Sequence, residues 1–296
     1  MANPSLKACF DAKKFVVAPG IFDMISAKVA DGMGFDCLYV TGFGTVASGL
    51  GVADAGIATY TEMVERVGRF ARMSKTPVIA DADTGYGGLL NVHHTVKGYE
   101  AAGVSGIQLE DQEVPKKCGH TPGRRVIPAE DMVLKIKVAA EARTDPNFLI
   151  VARTDARTGL GLEEAIRRGR MYGDAGADVV FIESPESEAE MVQIGRSIDK
   201  PLLANNVEGG RTPILSKARL AEIGYDIAIY PAVGFLAAAA ALERAYAHLK
   251  EHGDSNGLPA NESYGFGPIC ELMGFPEVWE FEKRWAQPGE SGAGKE

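Results

Sequence analysis

A closed (β/α)8 barrel is the fold class this sequence predicts. Eight short β-rich runs alternate with longer amphipathic stretches. The runs spread over about 240 residues, a usual size for such a barrel. An open doubly wound sheet is the other arrangement of alternating strands and helices, but no G-x-G-x-x-G follows the first run to support it.

The strands are read in order as FVVAPGI from Phe15, CLYVTG from Cys37, PVIADAD from Pro77 and SGIQLED from Ser105. FLIVARTD from Phe148, DVVFIES from Asp178, PLLANNV from Pro201 and YDIAIYP from Tyr225 complete the set. Near-continuous apolar runs are what strands covered on both faces require. The stretches TEMVERVGRFARM, AEDMVLKIKVAAEA and LEEAIRRGRMYGDAG place apolar residues at helical spacing. Gly34, Gly103, Gly176 and Gly224 follow helical stretches and suit their C-caps. The barrel is expected over residues 1–256, a helical and oligomer-forming segment over 257–287, and a disordered tail over 288–296.

Composition narrows the function. With 46% hydrophobic residues the chain can bury a sizeable core, which excludes a disordered or fibrous protein. A net charge of −9 gives no electrostatic reason to bind nucleic acid or an acidic membrane, and it favours metal cations. The longest apolar run, Pro231 to Leu242, is too short to span a bilayer, and the N-terminal MANPSLKACFDAKK is too charged for an export signal. Cys9, Cys37, Cys118 and Cys270 are scattered, without a C-x-x-C pair or a disulfide framework. A reducing, cytoplasmic setting is therefore expected.

Chemistry is expected where the strands end. The third run ends in Asp81 and Asp83, the fourth in Glu110 and Asp111, the fifth in Arg153 and Asp155, the sixth in Glu183 and the seventh in Asn205. Residues two apart on a strand share a face, so Asp81 and Asp83 are expected to point the same way, as are Gln108 and Glu110. One such acid could merely cap a helix. A whole set on consecutive strands would repel itself, and a divalent cation removes that cost. Carboxylates without His or Cys at the strand ends point to Mg²⁺, with Mn²⁺ as the alternative.

The loop EDQEVPKKCGHTPGRR after the fourth strand is long, basic and rich in Pro and Gly, as a lid over the mouth would be. Lys116, Lys117 and His120 flank Cys118 there and would stabilise its thiolate. Arg153 suits a carboxylate ligand, with an ion pair to Asp155 or Glu183 as the plainer reading. The turn Thr41–Gly44 offers backbone N–H groups to an anion. His93, His94, His248 and His252 are read as packing or solvated residues.

The motifs ADADTGYGG, LEDQ, KKCGH, VARTDA and LLANNVEGG together resemble the isocitrate lyase/phosphoenolpyruvate mutase superfamily of Mg²⁺-binding (β/α)8 barrels. By that resemblance Asp81 and Asp83 are metal ligands, with Asp54 and Glu110 holding metal-bound waters. Thr41, Gly42 and Phe43 cradle the substrate carboxylate. Cys118 is the catalytic acid, with Lys117 and Tyr39 beside it in the catalytic set. Gly119, His120, Arg153, Glu183 and Asn205 are the remaining substrate contacts. The resemblance also implies a homotetramer that exchanges its C-terminal helix.

The KKCGH thiol implies a carbon–carbon lyase acting on a small 2-hydroxy dicarboxylate. Leu236 and Ile269 stand where the 2-methylisocitrate lyases carry arginines, and Phe43 where they carry glycine. A substituted malate such as 2,3-dimethylmalate is therefore expected, giving pyruvate or a similar 2-oxo acid. The alternatives are 2-methylisocitrate cleavage, and oxaloacetate hydrolysis or decarboxylation, for which Pro231 replaces a hydroxyl-bearing residue. A non-catalytic binding barrel is the reading from another class, disfavoured by the intact acid set.

Overall fold

A computed structural model of the chain describes residues 2–119, 121, 123–259 and 263–286. The expected tail at 288–296 lies outside these residues. The chain divides into two compact units, Met1–Leu236 and Ala237–Glu296.

The first unit is the barrel. Its strands are β1 (Val16–Ile21), β2 (Leu38–Val40), β3 (Val78–Asp81), β4 (Gly106–Glu110), β5 (Leu149–Thr154), β6 (Val179–Ile182), β7 (Leu202–Asn205) and β8 (Ile227–Tyr230). All eight fall within the expected runs. They pair in parallel and in chain order, and β1 closes the ring on β8 through Val16–Ile227 to Pro19–Tyr230.

Period-two alternation sorts the side chains. Ile107 and Leu109 of β4 face out, packing in one cluster with Val92, Val96 and Tyr99 of α5 (Leu89–Ala102) and Met132 and Ile136 of α6 (Ala129–Ala142). Val16, Tyr39, Ile79, Val151, Phe181, Leu203 and Ile229 face in and fill the interior. Leu6 of α1 (Ser5–Asp11), fully buried, joins that interior cluster from the end where the strands begin. The Asn3 N–H donates to Ser105 Oγ just before β4, which holds the segment preceding α1 at that end.

Two local features differ from the sequence reading. The Thr41–Gly44 stretch is the start of a helix, α3 (Gly42–Leu50), with Thr41 as N-cap. Strand β3 stops at Asp81, so Asp83 lies beyond it in a left-handed conformation, φ 49°.

Asp111 is also a difference. It turns away from the mouth and accepts from Thr154 Oγ1 (2.7 Å), the Asp155 N–H (2.9 Å), Arg168 Nη1 (3.0 Å) and Tyr172 OH (2.7 Å). It thus ties β4 to β5 and to α8 (Leu162–Asp174).

Helix α11 (Val233–His252) starts in the first unit and continues into the second, which also holds α12 (Phe266–Met273) and α13 (Phe275–Trp285). His248 and His252 stack at 4.2 Å on α11, while Phe266, Trp279, Phe281 and Trp285 are exposed. Among the described residues no helix is long and apolar enough to cross a membrane.

Removing Asp111 leaves Arg168 with Glu164, 2.8 Å from its Nε, as its other carboxylate partner, and takes an acceptor from the buried Thr154 and Tyr172 hydroxyls. Asp111→Ala is expected to lower unfolding free energy by about 1–3 kcal/mol in urea titration, the usual cost of leaving buried donors unsatisfied.

Candidate active site

A cavity of about 280 Å³ opens at the C-terminal ends of the strands. Its wall includes Tyr39, Thr41, Gly42, Phe43, Asp54, Asp81, Glu110, Lys116, Lys117, Cys118, Gly119, Arg153, Glu183 and Asn205. Among the described residues, Asp83 is the sequence-identified residue missing from this lining. Asp83 lines an adjoining cavity of about 380 Å³ that shares Lys116 with the first. His120 lies outside the described residues.

The acids are buried and close to one another. Asp54, between α3 and α4 (Tyr60–Met73), is 2.5 Å from Lys116 Nζ, and Asp83 is 2.7 Å from the same ammonium. Asp81 Oδ1 accepts the Asp83 N–H at 3.0 Å, so the left-handed turn at Asp83 folds its backbone over the neighbouring carboxylate. Glu110 faces Arg153 Nη1 at 3.2 Å through Oε2, and its Oε1 is buried with no hydrogen-bond partner among the described residues.

Burial dominates the proton affinities here. It pushes Asp83 up to about 7 against the opposing field of Lys116. It raises Asp81, against Lys116 and Arg153, and lifts Glu110 well above the usual carboxylate range, against Arg153. Burial alone would depress Lys116, yet the fields of Asp83, Glu110, Asp81 and Asp54 prevail and hold it charged.

Lys116 and Lys117 both border the cavity but differ in burial. Lys117 is exposed and its ammonium meets the Gly123 carbonyl at 3.2 Å, while Gln112 pins its backbone N–H and C=O. Lys116 is the buried cation of the two.

Gly119 approaches the floor closely. A Cβ there would lie 2.4 Å from Arg153 Nη2 and 2.9 Å from Glu183 Oε2, so only glycine brings the backbone this near. Gly42 is constrained in the same way by Asp81 Oδ2, at 2.6 Å from a would-be Cβ. The first turn of α3 thereby stands next to the acid cluster, its N-terminal N–H groups and dipole suited to an anion.

The floor is polar and ordered. Arg153 donates from Nε and Nη2 to Asp155 at 2.9 Å each, and its guanidinium lies 5.2 Å from the Phe181 ring. Asn205 Nδ2 donates to Glu183 Oε2 at 3.0 Å. Tyr39 does point inward, and its hydroxyl donates to Gln108 Oε1 at 2.7 Å. Gln108 Nε2 in turn reaches Asp81 at 3.4 Å. Burial, then the field of Asp81, keeps the Tyr39 phenol protonated.

One side of the cavity is apolar. Phe43 and Phe235 stack at 5.2 Å and 14°, with Phe22 edge-on to Phe235 at 6.3 Å, and Pro231, Ala232 and Leu236 continue the wall. Phe235 carries no functional signal in the sequence; Lys116 is legible there only as a cation flanking Cys118, and Asp155 only as a strand-end acid. Gln108 carried a signal, since it shares a strand face with Glu110. His94, by contrast, packs on Tyr60 at 4.6 Å, as expected of a packing residue.

The phosphoenolpyruvate phosphomutase family model matches residues 6–250. The chain belongs to this phosphoenolpyruvate mutase/isocitrate lyase family. It is 47% identical over 281 residues to a 2,3-dimethylmalate lyase of Eubacterium barkeri, covering 95% of this chain and 97% of that one. A crystal structure of 2,3-dimethylmalate lyase superposes with a TM-score of 0.90 at 36% identity, covering 99% of this chain and 98% of that one. A phosphonopyruvate hydrolase solved with oxalate and Mg²⁺ superposes with a TM-score of 0.86 at 30% identity, covering 97% and 100%.

The raised carboxyls set a pH dependence. Asp81, Asp83 and Glu110 bind protons more tightly folded than unfolded, so the stability they contribute is lost as pH rises from the ordinary carboxylate range through their folded values. The metal-free protein is therefore expected to melt at a lower temperature at pH 8 than at pH 6. Each proton changes the slope by up to about 1.4 kcal/mol per pH unit. In thermal melts Asp83→Asn should flatten that slope.

Proposed function

We propose that the protein is a Mg²⁺-dependent carbon–carbon lyase that cleaves a small alkyl-substituted malate, with 2,3-dimethylmalate as the substrate tested first. The observation that carries this reading is the pairing of two unlike walls in one small cavity. Cationic and N–H groups for carboxylates (Arg153, the start of α3) face an apolar wall of Phe43, Phe235, Pro231 and Leu236. A third carboxylate, as in 2-methylisocitrate, would meet that wall without a partner, at a cost of several kcal/mol. Pro231 in the lining offers no hydroxyl, which disfavours oxaloacetate hydrolysis.

The donor set fits a hard divalent cation. Its groups are carboxylate oxygens, and Glu110 Oε1 is buried and lacks a partner among the described residues. Among those residues no three acid, imidazole or thiol groups gather closely enough to ligate a metal together. That suits Mg²⁺, which takes one or two carboxylates and keeps several waters. We assign Asp81 and Asp83 to direct contact and Asp54 and Glu110 to contact through water. Mn²⁺ would fit the same donors. When bound, the ion supplies Lewis-acid stabilisation of the negative charge that develops on the substrate's 2-oxygen.

The chain's own residues do the rest. The N–H groups of Gly42 and Phe43, with Thr41, hold the C1 carboxylate, while Arg153, Asn205 and Glu183 orient the rest of the substrate. As the C2–C3 bond breaks, its electron pair moves onto the departing carboxylic fragment and the 2-hydroxyl loses its proton. Tyr39 is a poor acceptor, because its phenol is held protonated and donates to Gln108. Glu110, a carboxylate in the cavity wall facing Arg153 at 3.2 Å, is better suited to take it. Cys118 gives its thiol proton to the carbon of the departing fragment, and solvent exchange after product release returns the two groups to their starting states. The 2-oxo acid and the carboxylic acid then leave as the segment carrying Lys116–Gly119 opens.

The exposed aromatic face of α12 and α13 supports docking on another copy, in a homotetramer of a cytoplasmic enzyme. Light scattering on the eluting protein reads that mass, and a monomer refutes the assembly.

A coupled dehydrogenase assay over a panel of 2-hydroxy diacids tests the activity. Release of a 2-oxo acid from 2,3-dimethylmalate with little from 2-methylisocitrate is expected; consumption of oxaloacetate alone overturns the lyase reading. Cys118→Ser should keep calorimetric Mg²⁺ binding and lose at least about 100-fold in kcat, the scale of a lost general acid. Because Mg²⁺ competes with protons for the same carboxylates, adding it should raise the melting temperature more at pH 8 than at pH 6.

A further inference from the structure

The segment between β4 and α6 meets the barrel at two buried charges. One is Lys116, on Asp54 and Asp83. The other is Arg124, whose side chain is 1% exposed. Its Nη1 donates to Asp155 Oδ1 at 2.6 Å, and its Nη2 donates to Thr158 Oγ1 at 2.7 Å and Ser184 Oγ at 3.3 Å. Asp155 is the same carboxylate that grips Arg153 at Nε and Nη2. One buried acid is therefore shared by a guanidinium from the covering segment and a guanidinium from the floor of the cavity.

We propose that Arg124 is a positioning residue for substrate binding: through Asp155 it fixes the orientation of Arg153 when the covering segment is seated. This inference rests on the reading of Arg153 as an anchor for the substrate's carboxylate.

The geometry argues for it in three ways. First, Arg153 has competing partners, with Glu110 at 3.2 Å and Glu183 at 3.6 Å. Its plane is set by which carboxylate holds two of its nitrogens, and that one is Asp155. Second, two guanidiniums on one carboxylate fix its rotation as well as its charge; burial would raise Asp155, yet Arg153 and then Arg124 overcome this and keep it ionised. Third, Arg124 is seated at a cost a simple surface tether would avoid, since its Nε is buried with no hydrogen-bond partner among the described residues. Ser184 joins the same contact, held at φ 60° with its hydroxyl between Glu183 Oε1 and the Gly119 carbonyl. Seating the segment, fixing Asp155 and presenting Arg153 are thus one event.

The test uses the full-length protein and the variants Arg124→Met, Arg124→Lys, Asp155→Asn and the Met/Asn double variant. KM and kcat for 2,3-dimethylmalate, and calorimetric affinity for oxalate as a small carboxylate probe, are measured with Mg²⁺ present. Arg124→Met is expected to raise KM and weaken oxalate binding about 10-fold, with kcat changed less, because a misaimed anchor is a binding defect. Arg124→Lys should recover part of this loss. The double variant should be no worse than Asp155→Asn alone, since both act through one carboxylate. Unchanged KM and oxalate affinity in both Arg124 variants, or losses that multiply in the double variant, would overturn the inference. If the wild type binds oxalate but turns over no diacid, the substrate reading fails, and the oxalate affinities of the variants alone decide for or against Arg124.

Discussion

The arrangement depends on an excess of buried negative charge at one end of a closed barrel. Asp54, Asp81, Asp83, Glu110, Asp155 and Glu183 converge there, each nine-tenths or more removed from water. Water cannot screen them, and the barrel wall supplies one cation, Arg153. The other two, Lys116 and Arg124, come from the covering segment. The segment is therefore bound by the same electrostatic surplus that a divalent ion would relieve. Mouth and cover make one electrostatic unit, and Cys118 and Gly119 lie between the two anchoring cations.

The opposite wall answers a different demand. The Phe43–Phe235 stack and Leu236 offer nothing to an anion, so on the proposed reading one small diacid is told from another by shape and apolar contact there. Charge fixes the part of the substrate that all such acids share. With the two demands on separate walls, the polar floor need not change when the apolar wall does.

How much of this the sequence made legible follows from the range of the interactions involved. Parallel strands covered on both faces must be apolar runs, so all eight were visible, and the alternation of β4 correctly sent Ile107 and Leu109 outward and Glu110 inward. The same alternation misplaced Asp83, because β3 ends at Asp81 and a left-handed turn, which no periodicity encodes, carries Asp83 onward. It could not tell that Asp111, one residue past Glu110, serves Arg168 and Tyr172 on the outer side. Which of two adjacent lysines is buried depends on how Gln112 grips the loop backbone. Arg124 was hidden for a similar reason: its partner Asp155 is distant in the chain, and a basic loop residue looks like any solvated charge until the fold brings the two together. The glycines at 42 and 119 were visible as glycines, but the close approaches that require them were not.

The buried Leu6 at the far end of the barrel has a stereochemical corollary. With the interior filled from Leu6 through Ile79 and Phe181, the cavity is closed on that side and opens at the strand ends, where Cys118 lines it. On the proposed reading, a carbanion formed in such a blind chamber receives its hydrogen from the single direction of Cys118. Turnover in heavy water would then leave the label on one prochiral face of the released acid, a handedness set by where the thiol stands in a chamber closed at its other end.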